Sequence, residues 1–222
     1  MHPGYLARQQ LLGEHRELHG LYNILDHGKK GYSRHPETLR WVNCVKALLR
    51  RHELLRLEMQ LRGYHHHSPL PQACKAAVTW PSVYIDTPSR QFQLLAGKYE
   101  ADERSGRIPL PRNSMELWAQ HKYSVMAHDP LLYRELGPAV AHGQYHDNID
   151  ALSSLLISTL RSVPEPGQLM NALQHMWGYV KGESLPPDDP SALLELVQAA
   201  ATQRDRTYLM HSTALSELAL WL

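Results

Sequence analysis

Apolar side chains recur every three to four residues at both ends of this chain, and no segment shows convincing alternation of apolar and polar residues. That pattern admits helices and argues against sheets. Leu11, Leu12, His15, Leu18, Leu21, Tyr22 and Leu25 share one face of a helix expected over about residues 6–26. A glycine-bracketed basic loop, GKKGYSRH at 28–35, follows. Pro36, well tolerated in a first helical turn, opens a second helix expected to run to about Arg62, with Gly63 as its stop. Its buried stripe is read as Leu39, Val42, Val45, Leu48, Leu49, Leu55 and Met59, and its length implies that it spans the whole first module.

Prolines 69, 71, 81, 88, 109 and 111 then break the pattern, leaving room for one short helix near residues 90–99. Helical spacing resumes at Ser114, which is expected to cap a helix ending at His128. Asp129-Pro130 opens the next, and further helices fit 147–162, 167–181, 190–203 and 211–221. The expected fold is therefore all-α. A compact helical module occupies residues 1–70, a proline-rich linker 71–112, and a multi-helix domain 113–222.

Composition narrows the setting. No run of eighteen apolar residues is present, which excludes a transmembrane helix, and the first residues lack the pattern of a secretory signal. Cys44 and Cys74 have no CxxC spacing, which fits a reducing cytoplasm, with a nucleoid-associated location if the ligand is DNA. The net charge of +1 hides an asymmetry: residues 1–73 hold eleven Lys/Arg against six Asp/Glu, and the remainder twelve against sixteen. A basic third joined to an acidic remainder suits a polyanion site confined to the first, and equally suits two ordinary solvated surfaces.

His15 and His19 stand at i and i+4, a spacing that can hold zinc. The zincin signature places Glu directly after the first His, however, whereas Arg16 follows here, and no third ligand is evident. The pair is read as packed or exposed histidines; His65-His66-His67 could also bind metal weakly but is read as a DNA-facing or inert loop, and no metal and no cofactor is expected. Glu17 beside Arg16 reads, on its own, as half of a surface ion pair.

QQLLGEHREL at 9–18, then GKKGYSRHP at 28–36 and LRWVNCVKALLRRHELLRLEMQLRGY at 39–64, together resemble the pyrimidine-dimer DNA glycosylase (endonuclease V) family over about residues 3–70. The resemblance implies a compact helical fold that cleaves the N-glycosyl bond at cyclobutane pyrimidine dimers in double-stranded DNA, then nicks the strand at the abasic site. The family's nucleophile is an N-terminal backbone amine, which would be that of Met1. A backbone amine suits the task because its ordinary pKa of about 7.7–8.0 leaves a neutral fraction at physiological pH. The resemblance maps the catalytic carboxylate onto Glu17 and a phosphate-binding arginine onto Arg16. It places Gln9, with Gln10, near the minor groove, and Lys29, Lys30, Arg34 and His35 on flanking phosphates. Met1 lies sixteen positions before Glu17, where the resemblance implies about twenty. The spacing points either to a start a few codons upstream or to an amine out of its family position, which an extended leading segment would bring within reach.

LWAQHKYSVMAH at 117–128, YRELG at 133–137 and NALQHMWGY at 171–179 resemble the YbgA-like domain of unknown function over about residues 113–222. His121, Lys122, His128, Tyr133, Arg134, Asn171, Gln174 and His175 are polar residues within these helices. They are compatible either with one shared pocket for a nucleotide or modified base, or with bridging positions in a helical core. Besides the repair enzyme, two readings stay open: a non-catalytic nucleic-acid-binding protein, and a modified-pyrimidine-binding protein acting through the second domain.

Overall fold

A computed structural model describes the chain except for residues 103, 181–184 and 204–206. It is all-α, with no strand among the described residues. After a 3₁₀ turn at Pro3–Tyr5 come α1 (Arg8–His27), α2 (Pro36–Arg40), α3 (Val45–Leu61) and α4 (Pro88–Asp102). Then follow α5 (Ser114–His128), α6 (Pro130–Ala141), α7 (Ile149–Leu160), α8 (Pro166–Val180) and α9 (Pro190–Gln203). Two short helices, α10 (Thr207–Met210) and α11 (Ala214–Glu217), and a 3₁₀ turn at Leu218–Leu220 end the chain.

The first core forms where the apolar faces of α1 and α3 meet, around Leu11, Leu18, Leu48, Leu55 and Met59, with Trp41 and Tyr99 closing it. A second core lies between α5, α8 and α9, and a third between α5, α6 and α7. Helix α11 packs on α3 as well as on α5 and α9, so the end of the chain is seated on its beginning.

Several expectations need correction. The helix from Pro36 to Arg62 is two helices, interrupted between Trp41 and Cys44. Trp41 is buried in the first core, and Asn43 takes a left-handed φ of 64°, which a short amide side chain tolerates better than most. The break turns the register of α2, so Leu39 and Val42, expected inside, are 54% and 45% exposed. Gly63, with φ +73°, does stop α3. The cap of α5 is Asn113, whose side-chain oxygen accepts from the Glu116 amide at 2.9 Å, while Ser114 is buried as the first helical residue. The helix expected over 211–221 begins only at Ala214, the Ser212 hydroxyl accepting from Ala214 N ahead of it, and passes into a 3₁₀ turn at Leu218. Such a local bond competes with the helical ladder. The helix expected over 167–181 ends at Val180, residue 181 lying outside the described residues. The segment near residues 90–99 belongs to a longer helix, α4. No helix among the described residues is long and apolar enough to cross a membrane, and both cysteines are free.

Candidate active-site cleft

A cleft of about 760 Å³ opens beside the start of the chain. One face of α1 supplies Gln9, Gln10, Gly13, Glu14 and Glu17, residues that successive 100° steps bring to the same side. Glu37, Arg40 and Trp41 come from α2 and its end, Arg51 from α3, and Trp80, Tyr84 and Ile85 from the proline-rich segment. His121 on α5, Arg161 after α7 and Glu217 on α11 close the far side.

Met1 is held in this cleft by a chain of specific contacts. The leading residues run extended through His2 and then turn through Pro3–Tyr5. The turn is anchored by Tyr5, whose hydroxyl donates to Gln120 Oε1 at 2.7 Å and meets His121 Nε2 at 3.0 Å. Tyr99 donates to Tyr5 O at 2.7 Å and accepts from Ala7 N at 2.8 Å. Ile108 N donates to Gly4 O at 2.9 Å, and the backbone at Gly106 passes so close that a Cβ there would fall on the carbonyl of Tyr5. Arg51 reaches up from α3, donating to Met1 O at 2.7 Å and bidentately to Glu14 at 2.6 and 2.8 Å.

These surroundings set the charge states. Burial, reinforced by the positive field of Arg51 and only partly opposed by Glu14, lowers the Met1 amine to about 5. The amine is therefore neutral at pH 7 and has its lone pair. Burial alone would push the Glu14 carboxyl up, but Arg51 outweighs it and holds Glu14 below the usual range, as an anion. Burial raises Glu217 to about 7. His128 lies 3.7 Å from it and is itself lowered to about 4 by burial, so the two meet as neutral groups and not as an ion pair. His2 Nε2, Gln10 Oε1 and Glu217 Oε2 line the cleft buried and without hydrogen-bond partners among the described residues.

The residues singled out from sequence fall into separate places. Met1, Glu17, Gln9 and Gln10 come together in the cleft, with Glu17 exposed on its wall. Arg16, Lys29, Lys30, Arg34 and His35 are exposed beyond it, and His35 Nδ1 accepts from Glu37 N as the cap of α2. The polar residues of the second half do not share one pocket. His121 faces the cleft and is lowered to about 3 by burial. Lys122 lies over the rings of Tyr123 and Tyr208 at 5.1 and 5.0 Å, His128 is enclosed against Glu217, and Tyr133 stacks on Trp118 at 5.7 Å. Arg134, Gln174 and His175 are exposed and Asn171 half-buried. Glu14, Arg51 and Glu217 were not legible as site residues, since each acquires its partner only through packing between distant segments.

On the other side of α1, the rings of His15 and His19 meet His52 of α3 and His66 of the segment that follows it. Burial, with mutual repulsion among these rings, lowers His15 to about 4 and His52 to about 3.

Residues 1–72 match the family model described as pyrimidine dimer DNA glycosylase, and residues 122–217 match one described as a protein of unknown function (DUF1722). No curated protein and no solved structure matches the chain.

Proposed function

We propose that this chain, carrying a pyrimidine dimer DNA glycosylase family domain at its N-terminus, is a DNA repair enzyme that uses the Met1 amine as its nucleophile on dimer-containing duplex. The observation that carries the reading is the neutral amine held beside Glu14 in a cleft that Glu17 also lines, on the very segment that matches the family.

The amine lone pair attacks C1′ of the damaged nucleotide, and the glycosidic bond breaks with its electrons leaving on the base. Loss of a proton from nitrogen with opening of the sugar gives the imine. Glu17, exposed in the cleft, takes the C2′ proton, and the 3′ phosphate departs with the C3′–O electrons; water then releases the amine. Glu14 and Arg51 act beside this chemistry as a clamp that fixes Met1 through its carbonyl. Arg40, Lys98 and Arg161 line the cleft as phosphate partners, and exposed Val83, Tyr84 and Ile85 offer an apolar rim against which an extrahelical base can stack. Residues of the C-terminal region complete the wall through His121 and Glu217.

Ultraviolet-irradiated duplex incubated with the protein and borohydride should give a covalent adduct, and peptide mapping should place it on Met1. Duplex binding with no adduct would replace the enzyme with a non-catalytic nucleic-acid-binding protein.

A further inference from the structure

We propose that His15, His19, His52 and His66 form a tetrahedral site for one divalent transition metal of the zinc class, a structural tie between α1, α3 and the segment after α3. Each ring offers one ligand nitrogen, and the four lie within 4.8 Å of one another. His15 Nε2 is 2.8 Å from His66 Nε2 and 3.1 Å from His52 Nε2, and His52 Nε2 is 3.2 Å from His19 Nε2. Zinc bonded to imidazole nitrogens at about 2.0–2.1 Å places neighbouring nitrogens about 3.4 Å apart along the edges of a tetrahedron. Three edges are thus present to within several tenths of an ångström.

Proton accounting points the same way. A ring nitrogen carries either one hydrogen or one lone pair. The contacts form a series, His66 to His15 to His52 to His19, in which both inner nitrogens serve two neighbours. Any choice of tautomers divides one hydrogen between two rings or gives one lone pair two donors. Four lone pairs on a single cation satisfy every ring at once.

The ligands are also positioned as a site. His15 and His19 stand one turn apart on α1, His52 is buried on α3, and the left-handed turn at Gly63 brings His66 back. Four protein ligands leave no open position for water, which marks a structural site. Helical geometry puts Glu17 nearly opposite His15 and His19 on α1, so the metal lies away from the cleft and fixes the helix that presents Glu14 and Glu17. His65 and His67 pair with each other at 6.4 Å and take no part.

The test uses untagged full-length protein, stripped by chelator and dialysed against zinc or cobalt. We expect one metal per chain and, with cobalt, the strong visible absorption of tetrahedral coordination. Altering an outer partner of a metal ligand already costs 10–100-fold in affinity. His19→Ala and His66→Ala should therefore lose at least ~100-fold, while a His65→Ala, His67→Ala double variant keeps wild-type affinity. Chelation should lower the Tm of the wild type and leave that of His19→Ala unchanged. A wild-type chain that takes up neither metal overturns the proposal, as does uptake that survives His19→Ala and disappears with His65 and His67. Should a ligand variant fail to fold, the wild-type stoichiometry and cobalt spectrum still decide.

Discussion

A backbone amine is a nucleophile only while it is neutral, and at Met1 burial moves that boundary from about 8 to about 5. If the amine carries the reaction, single-turnover strand scission should hold its rate down to about pH 5 and fall below it, as protonation removes the lone pair; an acid limb near pH 8 would contradict the buried geometry. Glu17→Gln should slow scission ~100-fold or more while leaving dimer-duplex binding within a few-fold, because the carboxylate is asked for proton abstraction and not for grip. Equal rates for wild type and variant would remove Glu17 from that role. Gly106→Ala should be harmful at a distance, since its Cβ collides with the rigid carbonyl of Tyr5 and not with a movable side chain. A loss of roughly 2–3 kcal/mol in denaturant unfolding is expected. Glu17 was legible because its role rides on a contiguous motif. Glu14 was not, because the residue that defines it, Arg51, lies 37 positions away and meets it only once α1 and α3 pack. His15 and His19 likewise announced a spacing, but two of the four converging rings come from α3 and from the segment beyond it.

At the scale of elements, periodicity located the helices and missed their interruptions. Two boundaries were misread: α2 and α3 are separated between Trp41 and Cys44, inside a run whose apolar spacing continues through the break, and the last helix starts at Ala214, after Ser212–Thr213. What breaks the first is Trp41 turning into the core and Asn43 accepting a left-handed backbone, and the available signal was an asparagine beside a β-branched residue in mid-helix. Asn43→Gly should therefore be neutral or slightly stabilising, whereas Asn43→Ala should cost about 1 kcal/mol in chemical denaturation. The opposite order would mean that the Asn43 side chain, and not its backbone, makes the turn. The shift of the α5 cap from Ser114 to Asn113 is smaller in consequence: two neighbouring residues are both good caps, and burial of Ser114 decided between them.

The molecule as a whole is joined by charge buried between its two ends. Glu58 of α3, fully enclosed, accepts from Arg62 at 2.7 Å, from Arg107 at 2.8 and 2.9 Å, and from Ser216 of α11 at 2.6 Å. Arg107 also donates to the carbonyls of Met210 and Ser212. We propose the division into residues 1–70, 71–112 and 113–222 as one of sequence origin, across which this network and the cleft are shared. Glu58 and Glu14 are held below the usual carboxylate range by their arginines against the opposing effect of burial, so their contributions are present above pH ~4.5 and are lost as the pH falls through their lowered values. Glu217 has the opposite sign. Burial raises it from 4.5 to about 7, so the folded chain keeps a proton that the unfolded chain has released between those values. The contribution of Glu217 to folding stability therefore declines as pH rises from about 4.5 to about 7, by roughly 3 kcal/mol in all, and stays lower above, against the opposite contributions of the buried histidines and the Met1 amine. Glu217→Gln removes that ionisation without changing shape. Its stability relative to wild type, from urea unfolding at a series of pH values, should be flat below pH ~4.5, climb through the interval, and level off near pH 7. A difference independent of pH would show that burial does not raise Glu217 in the folded chain.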